Sequence, residues 1–441
     1  MATARSSRPL QLPSAVALVV GQVIAVGIFL TPGTIIRTIA SPLGVLLVWA
    51  VMGTMAICGA LCYGALAARF PHAGGGYVYL REAYGPRVAF LYGWKCLLVM
   101  DPGITAALAT GFASYATYIV PLGNVAMRAV AIGAIAAFAA VHIAGVRVGV
   151  RLLTTIAVLK IVLVVILTLG AIVSPAAAWS HFVPFVSRHP HAPPLLGAVA
   201  GAFVAAFFSF GGWWEVTKIA GEVRDPSRTL PRALWAGLAI VTLAYTAATL
   251  SFIAVVPIGQ VAEGQAFIAQ VGEAIVGPGG GTAVAAIVIV CVLGSLGAMQ
   301  MIAPRLYVAM AQDGVFPAAA AALHPRFGTP ARAIATQAVL ASVLVAIGTF
   351  DTIVAFFVFI TVVFIAATVA SVLVLRRRES DFQVPMHPWS AVVFLALVVV
   401  LLLLIGASNP MQALLGVVVV AAAVPVYRMI HARRLTPLLE S

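Results

Sequence analysis

Charged residues are scarce in this chain. Only 8% of its 441 residues are Asp, Glu, Lys or Arg, whereas 63% are hydrophobic. Because soluble domains carry roughly 25% charged residues, the composition excludes an ordinary soluble protein. No polar stretch is long enough to form a separate domain outside a membrane, so we expect one membrane domain over residues 1–441.

Cysteine is also rare, and the common catalytic motifs are missing. The chain has four cysteines, Cys58, Cys62, Cys96 and Cys291, and none has the CxxC spacing of many metal and redox sites. It has neither an HExxH motif nor a recognisable Ser-His-Asp set. We therefore expect no disulfide, no metal, no cofactor and no enzymatic activity.

Long apolar stretches fill the chain instead. About 20 apolar residues cross the roughly 30 Å hydrocarbon core of a bilayer as a helix, and we count twelve such stretches. The predicted spans cover residues 12–38, 43–68, 88–119, 126–144, 152–173, 195–215, 233–256, 282–311, 333–349, 352–375, 389–406 and 411–430. This pattern predicts an all-α polytopic membrane protein in a lipid bilayer.

The basic residues follow the predicted loops. With the N-terminus inside, 21 of the 25 Lys and Arg lie in inner loops or at inner helix ends, Lys95 among them. The outer loops hold only Arg128 and Arg188. Such asymmetry places both termini in the cytoplasm, as in a multi-pass protein of a bacterial inner membrane. The net charge of +13 is thus a sign of topology, and we expect no nucleic-acid partner.

Two predicted spans contain sequences that break a helix. The first holds GQVIAVGIFLTPG, from Gly21 to Gly33, and the sixth holds FFSFGGWW. A broken helix is tolerated in lipid only where protein or a wet cavity satisfies its backbone. Each break lies in the first helix of a five-helix half. The halves are helices 1–5 over about 12–173 and helices 6–10 over about 195–375, and helices 11 and 12 over about 389–430 follow them. Matched breaks are typical of a transporter site at the bilayer midplane.

Four motifs resemble one known family. VVGQVIAVGIFLTPG is similar to its first-helix signature, FPHAGGGYVYLREAYGPRVAFLYGW to the loop into its third helix, FFSFGGWWEVTKIAGEVRDPSRTLPRAL to its sixth helix, and MAQDGVFPAAAAALHPRFGTP to the loop after its eighth. The chain resembles the amino acid–polyamine–organocation superfamily, in particular the L-type amino acid transporters and bacterial serine/threonine exchangers. The resemblance implies a five-plus-five inverted repeat, alternating access, and an amino acid substrate whose carboxylate lies on first-helix backbone.

The resemblance also implies a substrate site at the two breaks. The residues that it places there are Ala25, Val26, Gly27 and Ile28 in the first span and Phe210, Gly211, Gly212 and Trp213 in the sixth. Phe210 falls where the family uses an aromatic gate. Val26 lies within a triplet that is Gly-Ser-Gly-like in the family, and its β-branched side chain adds bulk there. The identity of the substrate therefore stays open.

A lysine lies well inside the fifth predicted span. Lys160 occurs in TTIAVLKIVLVVILTLG, and a midmembrane charge is by default functional. The resemblance places a lysine here in sodium-independent relatives, where it replaces a sodium ion close to the first and eighth helices. Ser295 matches an eighth-helix hydroxyl near that lysine. We expect a conformational or proton-linked role for Lys160 and transport without sodium; a static structural charge is the alternative.

Two acidic residues depart from the family pattern. Asp101 precedes Pro102 in the third span, and Glu215 follows the tryptophan pair of the sixth. These acids could contact a cationic substrate, carry a proton, or pair with interior cations such as Lys160 or Arg305. All three interpretations remain open from the residues alone.

These observations predict a secondary amino acid transporter, either an exchanger or a proton-linked permease. Asp101 and Glu215 motivate the alternative of a polyamine or organic cation permease, and a membrane enzyme and a channel are further alternatives. The segment IVPLGNVAM between the third and fourth spans has no cysteine. We therefore expect no disulfide-linked heavy subunit of the kind found with some animal relatives.

Overall fold

Helices form the regular structure of the chain. The computed structural model describes residues 11–24, 26–71, 74–145, 150–188, 192–262, 266–314, 316, 318–378 and 382–435. Its α-helices are α1 (Leu12–Val23), α2 (Gly27–Leu30), α3 (Pro32–Ile39), α4 (Pro42–Arg69), α5 (Gly76–Tyr84), α6 (Pro86–Lys95), α7 (Asp101–Ile119), α8 (Asn124–Ile143), α9 (Val150–Val173), α10 (Leu195–Ser209), α11 (Pro226–Val255), α12 (Phe267–Val276), α13 (Pro278–Gln312), α14 (Ala331–Ile347), α15 (Phe350–Arg378), α16 (Trp389–Ser408), α17 (Pro410–Ala421) and α18 (Ala423–Leu435).

Short segments of other helical types join these helices. A π-helical segment covers Cys96–Met100, and 3-10 helices cover Trp179–Phe182, Trp213–Glu222, Ile258–Gln260 and Ala318–Ala321. Within the residues described above there is no strand. The predicted all-α class is therefore confirmed.

Ten helical segments of the described chain are long and apolar enough to cross a membrane. They are Leu12–Leu30, Pro42–Arg69, Pro86–Ile119, Asn124–Ile143, Leu195–Thr217, Pro226–Val255, Pro278–Val308, Phe350–Arg378, Trp389–Ser408 and Pro410–Met429. The predicted fifth and ninth spans correspond to shorter apolar helices, Val158–Val173 and Ala331–Ile347. The chain is a polytopic membrane protein, and the count of twelve spans stays a prediction.

The first span is interrupted where its sequence indicates. α1 ends at Val23, α2 is a single turn that begins at Gly27, and α3 begins at Pro32. Proline suits the first position of a helix because the N–H that it lacks would have no partner there. The break therefore divides one membrane crossing into two half-helices.

The sixth span is interrupted in a similar way. α10 ends at Ser209, and Gly212 has a φ of +100°, a conformation that side chains other than glycine's rarely adopt. The 3-10 helix that begins at Trp213 then continues toward α11. Broken first and sixth spans are thus both present, as predicted.

The broken spans pack in the interior of the helix bundle. α10 contacts α2 and α3 of the first span and also α4, α15 and α16. α11 packs along both α1 and α4, and α13 packs along α7 and α9. The two interruptions therefore face protein, where neighbouring helices can satisfy their free backbone groups.

Two helical features lie outside the sequence prediction. α12 lies between the predicted seventh and eighth spans, packs on α13, and ends at Gly277 with φ +91°, a common glycine helix stop. The π-helical segment Cys96–Met100 interrupts the third span. Such segments occur frequently at functional sites, and this one lies between Lys95 and Asp101.

Candidate functional site

The two breaks approach each other closely at Gly27. A Cβ atom added to this glycine would lie 2.3 Å from the Cα of Ser209 at the end of α10. No real side chain fits at that separation, so glycine allows the two backbones to meet. The structure thus brings the predicted residues of the first and sixth spans together.

Hydroxyl groups join the two breaks. The Thr31 hydroxyl donates to the Gly27 carbonyl oxygen over 2.9 Å, and Thr31 and Ser209 hydrogen-bond through their hydroxyls. The Ser209 hydroxyl also reaches the Ala205 carbonyl over 3.1 Å. Since Thr31 and Ser209 are both buried, these bonds tie the end of α2 to α10 in the interior of the bundle.

Tyr245 bridges the ends of both first half-helices. Its hydroxyl on α11 lies 2.7 Å from the carbonyl oxygen of Val23, the last residue of α1, and 3.1 Å from that of Ser209, the last residue of α10. Buried carbonyls need hydrogen-bond donors, and the one hydroxyl proton of Tyr245 is shared between these two. Sequence analysis missed Tyr245, because the surrounding LAYTAAT carries no sign of a break.

A second tyrosine supports the first break from the other side. The Tyr115 hydroxyl on α7 donates to the Phe29 carbonyl oxygen in α2 over 2.5 Å, and Tyr115 is fully buried. α7 therefore holds α2, and α11 holds the end of α1, each through a backbone carbonyl. This interaction also carries no sequence signal, since neither residue lies in a motif.

Aromatic rings cover the second break. Phe210 is buried, with its ring centroid 6.0 Å from that of Trp49 and 5.6 Å from that of Tyr245. Trp213 is also buried and packs edge-on against Tyr63 at 5.0 Å. The predicted gate residue Phe210 therefore lies in an aromatic cluster beside the break.

The predicted substrate residues have mostly apolar surroundings. Val26, Gly27 and Ile28 are buried, while Gly211 and Gly212 are partly exposed. Ala25 lies outside the described residues. What this arrangement offers chemically is backbone N–H and C=O groups beside apolar side chains, which suits a small zwitterion whose side chain is uncharged.

Lys160 lies next to Ser295, as expected. The Lys160 ammonium donates to the Ser295 hydroxyl over 2.5 Å, and that hydroxyl reaches the Cys291 carbonyl over 3.2 Å. Lys160 is buried on α9, which contacts α1 and α13. No ion pair of Lys160 is found among the residues that the structure describes, and the roles of Asp101 and Glu215 stay predictions.

Asp101 is buried within the third span. It begins α7, and its carboxylate accepts a hydrogen bond from the Tyr307 hydroxyl of α13. Tyr115, which contacts the first break, lies fourteen residues along the same helix, or about 21 Å at 1.5 Å per residue. The side chain of Arg305, the other suggested partner, lies outside the described residues.

Glu215 lies just past the second break. It belongs to the 3-10 helix that begins at Trp213 and is partly buried. It lies near the phenols of Tyr63 and Tyr92. Glu215 and Asp101 therefore both influence Tyr92, one from the sixth span and one from the third.

The position of Lys95 corrects the sequence interpretation. It was counted among the cytoplasmic helix ends, but its side chain is only 1% exposed. Lys95 is the tenth residue of a span that begins at Pro86, roughly 14 Å into the membrane by helical rise. The number of residues between Lys95 and the end of the span could have shown from the sequence that this lysine lies inside the membrane.

Contacts close the bundle at the predicted cytoplasmic side. Arg81 of α5 lies 3.7 Å from the Asp313 carboxylate after α13, and the Tyr77 hydroxyl donates to the same carboxylate over 3.2 Å. Burial, together with the negative charge of Asp313, raises the pKa of the Tyr77 phenol. The phenol stays protonated and remains a donor to Asp313 at neutral pH.

Contacts also close the predicted outer side. The Arg188 guanidinium donates to the carbonyl oxygens of Thr38 over 2.8 Å and Ile39 over 3.0 Å at the end of α3. The Ser41 hydroxyl donates to the Val186 carbonyl over 3.0 Å. The segment before α10 is thereby fastened across the end of the first span.

Known proteins are similar in sequence to this chain along almost its whole length. The family model described as amino acid permease matches residues 10–427. The serine/threonine exchanger SteT of Bacillus subtilis (strain 168) is 27% identical over 429 residues, which cover 95% of this chain and 96% of the relative. The human b(0,+)-type amino acid transporter 1 is 27% identical over 388 residues, 87% of this chain and 79% of the relative. The human large neutral amino acids transporter small subunit 2 is 27% identical over 434 residues, which cover 94% of this chain and 79% of the relative.

Proposed function

The chain belongs to the amino acid permease family, and on that basis we propose that it carries a neutral amino acid across the membrane by alternating access without sodium. Transport of amino acids is the function that the family and the relatives share. The proposal adds the mechanism, the charge of the substrate and the independence from sodium.

The observation that carries the proposal is the contact of the two breaks at Gly27 and Ser209. Free backbone groups of two half-helices meet there in the interior of the bundle, and the positive end of a helix favours a carboxylate. The substrate carboxylate would lie on the backbone of Val26, Gly27 and Ile28. Its amino group would meet carbonyls of the two breaks, with Phe210 and Trp213 covering it.

The charge around the breaks favours a neutral substrate. Val26, Ile28, Phe210 and Trp213 are apolar and buried, whereas Asp101 is bonded to Tyr307 far along α7. Of the two acids that motivated a polyamine substrate, Asp101 is bonded to a tyrosine of α13, and Glu215 lies just past the second break. A neutral amino acid therefore fits these surroundings better than a polyamine does. The Bacillus relative is described as a serine/threonine exchanger.

Lys160 takes the place of a bound sodium ion in this proposal. Its ammonium, on a helix that contacts both α1 and α13, donates to Ser295. A protein cation here supplies the positive charge and the hydrogen-bond donors that a metal ion would otherwise bring. The cycle then needs no sodium, and it runs as an exchange or with a proton.

The remaining proposals concern setting and partners. We propose a bacterial inner-membrane protein with both termini in the cytoplasm, no enzymatic activity, and no heavy subunit. The basic inner loops support the orientation. The human relative is named a small subunit, whereas the Bacillus relative, which matches over 96% of its own length, is named simply an exchanger.

Purified protein reconstituted into liposomes tests the proposal. A thermal-shift screen of the standard amino acids and common polyamines is expected to show stabilisation by neutral amino acids. Uptake of the stabilising amino acids is expected to saturate and to continue at an unchanged rate when choline replaces sodium. Uptake that collapses in choline would remove the role given to Lys160, and stabilisation by polyamines alone would favour the cation permease.

A further inference from the structure

An open groove lies between α5, α6 and the end of α15, outside the residues given to the transport site. Its volume is about 710 Å³, and the residues that line it include Arg81, Glu82, Tyr84, Val88, Val374 and Arg378. One span begins at Pro86 and another ends at Arg378. The groove therefore lies where two spans meet the predicted cytoplasmic surface of the membrane.

The groove is charged at one end and apolar at the other. Arg378 is the last residue of α15 and is exposed, whereas Val374 lies one turn earlier, about 6 Å deeper along the helix axis, and is half-buried. Val88, the third residue of its span, is also half-buried. A molecule in this groove would meet charged groups at the membrane surface and apolar side chains just below it. A phospholipid has its polar and apolar parts in that order.

Arg378 has donors to offer to an anion. Its guanidinium donates over 3.4 Å to the backbone carbonyl oxygen of Glu82. In the described part of the chain no carboxylate lies within ion-pair distance of it. A guanidinium has five N–H donors, and its planar shape matches two oxygens of a phosphate. Arg378 can therefore keep its bond to α5 and bind a phosphate group as well.

Arg81 lies on the α5 side of the same groove. Its guanidinium donates to the Glu82 carboxylate over 3.2 Å and lies 3.7 Å from the Asp313 carboxylate. The side chains of Arg81 and Glu82 are 40% and 39% exposed, so the pair is open to solvent. Glu82 opposes an anion in the groove, and its removal should favour one.

Further basic residues surround the groove. Arg87 lies between the lining residues Gly85 and Val88, and Arg376 and Arg377 lie between Val374 and Arg378. All three are exposed. Basic residues at the cytoplasmic end of a span attract the anionic lipids of the inner leaflet. The groove thus combines a positive surroundings with a shape that a lipid can enter from the membrane.

We propose that this groove binds an anionic phospholipid of the cytoplasmic leaflet. Arg378 and Arg81 bind its phosphate, and its acyl chains lie against Val88 and Val374. The lipid thereby joins the end of α15 to α5, the element that also contacts Asp313 at the cytoplasmic side. This inference goes beyond the proposed function and does not depend on which amino acid is carried.

Lipid binding to the purified full-length protein tests the proposal. The protein in detergent is titrated with phosphatidylglycerol or with phosphatidylcholine, and native mass spectrometry counts the bound lipids. Phosphatidylglycerol is expected to bind at least about five-fold more tightly, because the head group of phosphatidylcholine carries a cation that the arginines repel.

Three variants separate the groove from general attraction of charges. Arg378→Gln is expected to weaken phosphatidylglycerol binding about five-fold, the effect of one basic side chain near an anionic lipid. Arg228→Gln is the matched control, since it removes the same charge from an exposed position at the start of α11, and the affinity should be unchanged. Glu82→Gln removes the opposing carboxylate and should tighten binding about two-fold or more.

Four results would overturn the inference. They are equal affinity for the two lipids, equal affinity of Arg378→Gln and Arg228→Gln, no tightening in Glu82→Gln, and displacement of the lipid by inorganic phosphate but not by chloride of equal ionic strength. The last result would assign the groove to a soluble phosphate. Because none of these measurements involves transport, a failure of the uptake experiments would count against the proposed function alone.

Discussion

At the scale of single residues, Gly27 is the position at which the two broken spans pack most closely. Its neighbour across the contact is backbone, the Cα of Ser209 at 2.3 Å from an added Cβ, and backbone cannot rotate away as a flexible side chain can. A larger residue must therefore push α2 and α10 apart. That displacement would also disturb the hydrogen bond between Thr31 and Ser209.

Gly27→Ala is expected to abolish most transport and to cost about 1–3 kcal/mol of stability, as overpacking typically does. Gly21→Ala is the control, because it lies on the same span with nothing within 4 Å of an added Cβ. That change should leave transport intact and stabilise α1 by up to about 1 kcal/mol. Uptake and thermal unfolding of both variants measure the difference, and equal behaviour would contradict the close approach.

At the scale of helices, α11 holds the two breaks in a fixed relation. It packs along α1 and α4 and places one phenol between the last carbonyl of α1 and the last carbonyl of α10. Neither half-helix can move far from the other without losing this donor. Breaking and re-forming the Tyr245 bonds is therefore expected to accompany movement between states.

Tyr245→Phe removes the hydroxyl but keeps the ring. It removes the one donor that two buried carbonyls share, at a cost of roughly 1–3 kcal/mol, and it should slow uptake more than it weakens substrate binding. Tyr118→Phe is the control, since the Tyr118 hydroxyl donates over 2.9 Å to Glu273 at an exposed position. Thermal unfolding and uptake kinetics of both variants measure the effect. A Tyr245→Phe protein as stable and active as Tyr118→Phe would remove the bridging role.

At the scale of the whole molecule, the charges bear on the orientation of the chain in the membrane, and contacts between elements join the two ends of the bundle. We expect the basic residues to be concentrated on the cytoplasmic side of the membrane. On that side Asp313 holds α5 through Tyr77 and Arg81. On the other side Arg188 fastens the segment before α10 to the end of α3. Such contacts are therefore present on both predicted sides of the bundle.

Cysteine labelling measures the orientation. Ser180 is exposed in the predicted outer segment and Ser227 is exposed in the predicted inner loop. In intact cells a membrane-impermeant maleimide is expected to label Ser180→Cys, and to label Ser227→Cys only after the membrane is permeabilised. The unsubstituted protein controls for its own cysteines, of which Cys58 is half-buried and the other three are buried. The reverse pattern would invert the topology.

Much of the architecture could be predicted because membrane spans are local features. Length and apolarity identify a span without knowledge of its neighbours, and glycine and proline mark the breaks near Gly27 and Gly212. The Lys160–Ser295 contact was also anticipated, although through resemblance to a family rather than through physical argument. The helix α12 was missed, since its ten residues are too few to produce a spanning signal.

The sequence by itself determined the class of the protein and the places where its helices break, because each of these depends on short stretches of chain in contact with lipid or water. Only the tertiary structure decided that Tyr245 joins the two breaks and that Lys95 is caged by Tyr92 and Phe364. Those contacts join residues on different elements of the fold. They depend on which face of one helix meets which face of another, and that choice is made by packing of the whole bundle.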